Sequence, residues 1–159
     1  MRVMAIDYGT RAVGVAVSDE LRITVRPLLT IRRGRLGREQ TLARIAALAA
    51  EYEVGALLVG LPLRMDGTRG EAAGRVERFV RDLESRLDIP VLTVDERLTS
   101  RAADELLRGQ GADARERRAR SDEYAAAIML QDYLASLPQT GEEDHAEHAE
   151  MDETRGRTD

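Results

Sequence analysis

The sequence contains no cysteine, no lysine and no tryptophan, and its two histidines, His145 and His148, both lie near its end. Without cysteine there is no disulfide framework, no thiolate nucleophile and no Cys-type zinc site, which fits a cytoplasmic protein. Without lysine there is no Schiff-base chemistry. With no histidine before His145, Ser-His and Cys-His catalysis and histidine acid–base work are excluded from residues 1–137. One Phe and four Tyr provide no aromatic platform for stacking bases. Apolar runs are short, about six residues around Ala56 to Val59 for example, against the ~20 that a membrane span needs. The N-terminus reaches Asp7 before the apolar core of a signal peptide can develop. A cytoplasmic protein with no membrane partner is expected.

At 159 residues and 17.6 kDa, the chain has the length of one domain. With 43% hydrophobic and 33% charged residues, its composition is that of a soluble globular protein. All 24 basic residues are arginine, and they are unevenly spread. Residues 1–137 hold 22 Arg against 21 acids, a charge of +1, while 138–159 hold eight acids and two Arg, or −6, giving the total of −5. Any chemistry in the domain must therefore use carboxylates, hydroxyls and arginine. Carboxylates alone point either to glycoside-type acid/base pairs or to ligation of a hard metal.

The pattern of apolar residues predicts the order βββαβαβαα. Val3 to Asp7 and Ala12 to Ser18 read as strands joined by the turn Tyr8-Gly9-Thr10-Arg11, short enough for an antiparallel hairpin. Ile23 to Ile31 is a third strand, and Pro27 within it suggests an edge position or a bulge. A helix over about 38–52 carries Leu42, Ile45, Leu48, Ala49 and Tyr52 on one face. Ala56 to Leu61 reads as a buried parallel strand. Thr68-x-x-Glu71 has capping-box spacing and opens a helix with Val76, Phe79, Val80, Leu83 and Leu87 inward. Pro90 to Val94 is the last strand. A helix over about Thr99 to Arg108, a polar Arg-rich segment from Gly109 to Arg120, and a helix over about Asp122 to Ser136 follow. The expected architecture is an α/β domain over 1–137, with a mixed sheet of one antiparallel and one parallel half covered by helices. The acidic segment 138–159 has too few apolar residues to fold and is expected to be a disordered tail.

Three acids stand where elements are expected to end or begin: Asp7 after the first strand, Asp95-Glu96 after the last, and Asp122 at the final helix. Ligands collect at the carboxyl ends of strands in open α/β sheets. Acids gathered there repel one another, and a divalent cation such as Mg²⁺ or Mn²⁺ resolves the repulsion. Taken singly, each acid is more often a solvated or capping residue, Asp122 especially, where a carboxylate suits the helix dipole. Asp19 and Asp104 read as surface or capping residues. Composition and spacing lead to a metal site as one reading and no further.

The motifs lead further. Asp7-Tyr-Gly-Thr-Arg11-Ala-Val-Gly14-Val-Ala16-Val-Ser18-Asp19 resembles the opening motif of the YqgF family, Holliday-junction-resolvase-like and pre-16S rRNA processing nucleases. So do Val59-Gly60-Leu61-Pro62-Leu63-Arg-Met-Asp66-Gly67, Asp95-Glu96-Arg97-Leu98-Thr99-Ser100, and Asp122-x-x-Ala125-Ala126 with Leu130-Gln131-x-Tyr133-Leu134. The four motifs stand in order from Met1 to about Leu137. The resemblance implies a ribonuclease-H-like fold, with a five-stranded mixed sheet and a site made of Asp7, Glu96 and Asp122. It departs at Ser121, where the family commonly has Lys or an apolar residue.

A metal-dependent nuclease follows from this resemblance, with Asp7, Glu96 and Asp122 holding Mg²⁺ or Mn²⁺ against the scissile phosphate. Gly9 allows close approach of the backbone to a phosphate. Arg11 and Arg97 are candidates for phosphate binding or for structural ion pairs. Arg115, Arg117, Arg118 and Arg120, just before Asp122, are candidate phosphate contacts, and Arg32, Arg33, Arg35 and Arg38 form a second cluster. Such runs are often no more than solvated loops. The substrate expected is precursor 16S rRNA at its 5′ end. Alternatives are a Holliday junction, single-stranded DNA, or nucleic-acid binding without catalysis. A sugar-kinase-type phosphotransferase shares the Asp-x-Gly-Thr opening but needs two such domains. A resolvase must act as a dimer, for which the sequence carries no sign, so both monomer and homodimer stay open. The His145-x-x-His148 pair reads as part of the flexible tail.

Overall fold

The computed structural model describes residues 1–34, 36–96, 105 and 108–138. Five strands form one sheet: β1 (Arg2–Tyr8), β2 (Ala12–Ser18), β3 (Val25–Arg32), β4 (Val54–Leu61) and β5 (Val91–Asp95). Among the described residues the helices α1 (Arg38–Glu51), α2 (Glu71–Arg86) and α3 (Ala114–Ser136) accompany them. The strand order is β3-β2-β1-β4-β5. β1 pairs antiparallel with β2, and β2 with β3, whereas β1–β4 and β4–β5 are parallel. This is the mixed sheet the sequence predicts.

Alternation along the strands divides the interior into two layers. On one face Met4, Ile6, Val13, Val15, Leu57 and Val59 meet Leu42, Ile45 and Leu48 of α1 and Val76, Phe79 and Leu83 of α2. On the other face Val3, Ala5, Ala16 and Leu58 meet Ala126, Ala127, Met129 and Leu130 of α3. The small residues of that second layer bring α3 close to the sheet. Pro27 falls on the edge strand, at the register shift where Val15 pairs Leu29 and Ala16 pairs Pro27. Both of its expected roles, edge and bulge, are fulfilled.

The structure corrects two helix starts. α2 begins after Gly70 with no side-chain cap; the Thr68 hydroxyl is turned to Asp66 Oδ1 at 2.6 Å and cannot reach the helix. The last helix begins at Ala114 rather than near Asp122. Asp113 caps it, accepting from Glu116 N at 2.8 Å while Glu116 Oε2 accepts from Asp113 N at 3.1 Å. The Arg-rich stretch is therefore helical, as arginine's good propensity allows. The expected helix over Thr99–Arg108 lies largely outside the described residues, and the acidic tail beyond residue 138 wholly so. Among the described residues no helix is long and apolar enough to cross a membrane.

Candidate active site

β1 sets the position of Asp7. Its neighbours Val3 and Ala5 face α3, so alternation turns Asp7 to the same face, near the carboxyl end of the strand. Its cross-strand partner on β2 is Gly14. On the other side of β1 runs β4, where Gly60 pairs with Val94 of β5. Both glycines leave room that a side chain would fill. A Cβ on Gly14 would collide with the backbone of Asp122, and a Cβ on Gly60 with the Glu96 carboxylate. Gly14 thus lets α3 settle onto β2 at Asp122, and Gly60 lets Glu96 swing back over the sheet. Val94 packs in the α3 layer and Val91 in the opposite one. Glu96, two residues beyond Val94, accordingly shares the α3 face with Asp7, and Asp95 does not.

Asp7 and Glu96 are hydrogen-bonded to each other. Burial, the Glu96 charge, the hydrogen bond that the Asp7 carboxyl donates to Glu96 and the Asp122 charge together push the Asp7 carboxyl up to about 8. Burial chiefly raises Glu96 as well, helped by the charges of Asp122 and Asp95 and opposed by its hydrogen bond with Asp7. Asp122 is half-buried and also raised by burial, with the Arg32 charge pulling it back. Asp122 therefore acts on the other two through space, from inside α3 and not from its first turn. The helix dipole, offered by the sequence as a reason for an acid there, does not apply. Among the described residues no three acids converge tightly enough to form a ready-made metal cage.

A cavity of about 200 Å³ opens on this carboxylate pair, lined also by Tyr8, Gly9, Thr10, Arg33, Pro62, Ala72, Arg75 and Val76. Gly9 forms its rim; its N–H donates to Ala12 O at 2.9 Å, and a Cβ there would stand 2.7 Å from that oxygen. Arg11 is exposed and lies in an adjoining trough of about 480 Å³, with Thr10, Arg32, Arg33, Gly34, Leu36, Gly37 and Arg38. Arg97 and Arg35 lie outside the described residues.

The α3 arginines are not brought to the cavity. Arg117 donates to Ala112 O at 2.9 Å and Arg118 to Ala114 O at 3.2 Å. Arg120 donates to Glu123 Oε1 at 3.2 Å and to the Tyr124 hydroxyl at 3.0 Å. Arg115 sits exposed in the first turn and lines neither cavity nor trough. Two cations that sequence reasoning did not assign to the site do line the cavity: Arg33, seen only as part of a basic cluster, and Arg75 on α2. Arg75 has no signal in spacing, since only the packing of α2 on the sheet brings it over the carboxyl end of β1.

A sequence family described as RuvX, Holliday junction resolvase, matches residues 1–136. A relative from Roseiflexus sp. (strain RS-1), provisionally named a pre-16S rRNA nuclease, is 48% identical over 135 residues, 85% of this chain and 94% of its own. One from Syntrophus aciditrophicus (strain SB), with the same provisional name, is 41% identical over 139 residues, 87% of this chain and 91% of its own. Among solved structures, T. thermophilus RuvC in complex with a Holliday junction substrate superposes with a TM-score of 0.54 at 16% identity, covering 86% of this chain and 97% of that one. The fowlpox virus Holliday junction resolvase gives 0.53 at 13% identity, over 86% and 100%. At such identities these two likenesses establish the fold alone, which is ribonuclease-H-like.

Proposed function

The chain belongs to the RuvX family, and from that premise we propose that it is a metal-dependent nuclease acting on precursor 16S rRNA at its 5′ end. The observation that carries the chemistry is the half-buried Asp7–Glu96 pair, in which one carboxyl hydrogen-bonds the other, with Asp122 close enough to raise both. Hydrolysis of a phosphodiester needs positive charge where the transition state is anionic, and this end of the sheet is instead acidic. The donor set suits a hard divalent cation. All three groups are carboxylates, they are partly or largely buried, and no lysine or histidine is at hand to neutralise them.

Asp7, Glu96 and Asp122 would hold Mg²⁺ or Mn²⁺. When bound, such an ion supplies Lewis-acid stabilisation of the phosphate and a water of lowered pKa. The protein's own residues do the rest. Gly9 brings backbone to the cavity rim, and Arg33 and Arg75 offer planar guanidiniums to phosphate oxygens. Tyr8, Pro62 and Val76 supply an apolar wall that limits water. Maturation of ribosomal RNA would place the protein in the cytoplasm. The rRNA substrate is favoured by the names of the relatives above 40% identity. The family's own description favours a second reading, cleavage of a four-way DNA junction.

Cleavage assays on matched precursor rRNA, single-stranded DNA and four-way junction, each with Mg²⁺, Mn²⁺ or EDTA, decide between them. Cutting of the rRNA alone, abolished by EDTA and by Asp7→Asn, is the expected result. Preferential cutting of the junction would support the second reading, and EDTA-resistant cutting would overturn the metal.

A further inference from the structure

The trough beside the carboxylate cavity is basic: Arg11, Arg32, Arg33 and Arg38 line it, and among the described residues no acid does. Arg38 is ion-paired with Asp82 of α2 and the Arg32 charge acts on Asp122, so Arg11 and Arg33 carry most of the positive field. Trough and cavity share Thr10 and Arg33, which makes them one continuous path from the outer surface to Asp7 and Glu96.

Arg33 stands at the junction of the two and is unusually well held. Its guanidinium carbon lies 4.6 Å from the centre of the Tyr8 ring. Tyr8 in turn stacks on the fully buried Phe79, with centroids 3.9 Å apart and planes at 14°. Its Nη1 donates to Gly9 O at 2.8 Å, and its backbone N–H donates to Arg11 O at 2.9 Å. Among the described residues the bond to Gly9 O is the only hydrogen bond of the Arg33 side chain, out of the five donors a guanidinium possesses. A planar cation fixed by a stack rooted in the core, with donors left over, is suited to bidentate binding of a phosphate.

We propose that the substrate enters as a single strand whose sugar-phosphate backbone lies in the Arg11–Arg32–Arg33 trough, and that Arg33 holds the phosphate adjoining the one cleaved. The inference rests on the nuclease reading and adds the path, the strandedness and the positioning residue. The cavity at the end of the path, about 200 Å³, is smaller than the ~300 Å³ at which pockets begin to enclose a drug-sized ligand, so it admits one phosphate or sugar and not a duplex. The α3 arginines are the rival track, but Arg117, Arg118 and Arg120 are engaged with neighbours on or next to their own helix.

The test uses the full chain and a labelled single-stranded RNA spanning the precursor cleavage point. Binding is measured in EDTA across a salt series, and turnover with Mn²⁺. Variants are Arg11→Ala/Arg32→Ala, Arg33→Ala and Arg33→Lys, with Arg44→Ala/Arg81→Ala removing two exposed charges elsewhere on α1 and α2. The trough pair should weaken binding about tenfold at low salt and flatten the slope of log K against log salt by about 1.4, about 0.7 per lost contact. Arg33→Ala should lower kcat/KM at least tenfold. Arg33→Lys should keep the salt slope yet recover little of the rate, because a point charge cannot replace the planar fork. A duplex of the same sequence should bind more weakly than the single strand. Trough variants that match the control pair, while the unaltered chain cleaves RNA, overturn the path alone. Failure of the unaltered chain to bind or cleave any RNA overturns the path together with the rRNA reading. Should Arg33→Ala melt early, the slope of the Arg11→Ala/Arg32→Ala pair decides by itself.

Discussion

Asp95 and Glu96 are chain neighbours with opposite fates. Sequence alternation cannot choose between them, because Leu92 and Val94 on the Glu96 side and Val91 on the Asp95 side are all apolar. The family motif chooses Glu96, and packing supplies the physical reason: Val94 joins the α3 layer and Val91 the other. On the nuclease reading, Glu96→Gln should abolish metal-dependent cleavage as fully as Asp7→Asn, with the fold intact, since removing carboxylate repulsion costs no packing. Asp95→Asn should retain measurable turnover; the reverse ranking in a cleavage assay would overturn the assignment. Gly60 gives a subtler case. Gly60→Ala places a methyl group where the Glu96 carboxylate lies, so turnover should fall at least about tenfold, in line with the sensitivity of catalysis to ~1 Å misplacements. Gly74→Ala is its counterpart on α2, where a Cβ meets nothing nearer than Arg78 Nη1 at 3.9 Å. It should raise stability by about 0.5–1 kcal/mol in thermal melts and leave turnover alone.

At the level of elements, the strands were legible because their signals were redundant: apolar runs, turn residues and Pro27 all agreed. The helix starts were not. Thr68-x-x-Glu71 and Asp113-x-x-Glu116 have the same spacing, yet only the second is a capping box. What separates them is tertiary: Leu63 and Arg69 form an isolated antiparallel bridge, and Asp66 captures the Thr68 side chain within the loop so closed. Reading the Arg-rich stretch as a loop displaced Asp122 to a helix start it does not occupy. Asp113→Ala should therefore cost about 1 kcal/mol and lower Tm by roughly 2–4 °C, with far-UV circular dichroism showing little helix lost. Thr68→Ala should cost no helix stability of that kind. Of the candidate site, the three acids were proposed from motifs, and the structure sets Asp7 beside Glu96 with Asp122 acting on both, whereas Arg33 and Arg75 reach it only through packing that no local pattern encodes.

For the whole molecule, the acidic centre sets an unusual dependence of stability on pH. Asp7, raised by burial and by Glu96 from an ordinary 3.8 to about 8, binds its proton more tightly folded than unfolded. Its contribution is fully present below about pH 4 and is lost as pH rises through about 8; Glu96 and Asp122 shift in the same direction. In EDTA the Tm should fall by roughly 5–10 °C between pH 5 and pH 9, Asp7→Asn should flatten that fall, and millimolar Mg²⁺ at pH 9 should reverse it. A Tm that rises over the same interval in EDTA would overturn this account. A different consequence belongs to the edge strand β3. Proline at residue 27 presents no N–H, and the register shift beside it breaks the regular spacing of the outer backbone groups. Neighbouring Arg26 and Arg32 are exposed and of like charge, so a second copy offered to this edge would meet both a broken ladder and its own cations. That edge is thereby closed to sheet extension, and the chain can be concentrated without seeding fibrils from it. Replacing Pro27 by valine would restore the missing donor, and light scattering at high protein concentration would register the association that the native edge prevents.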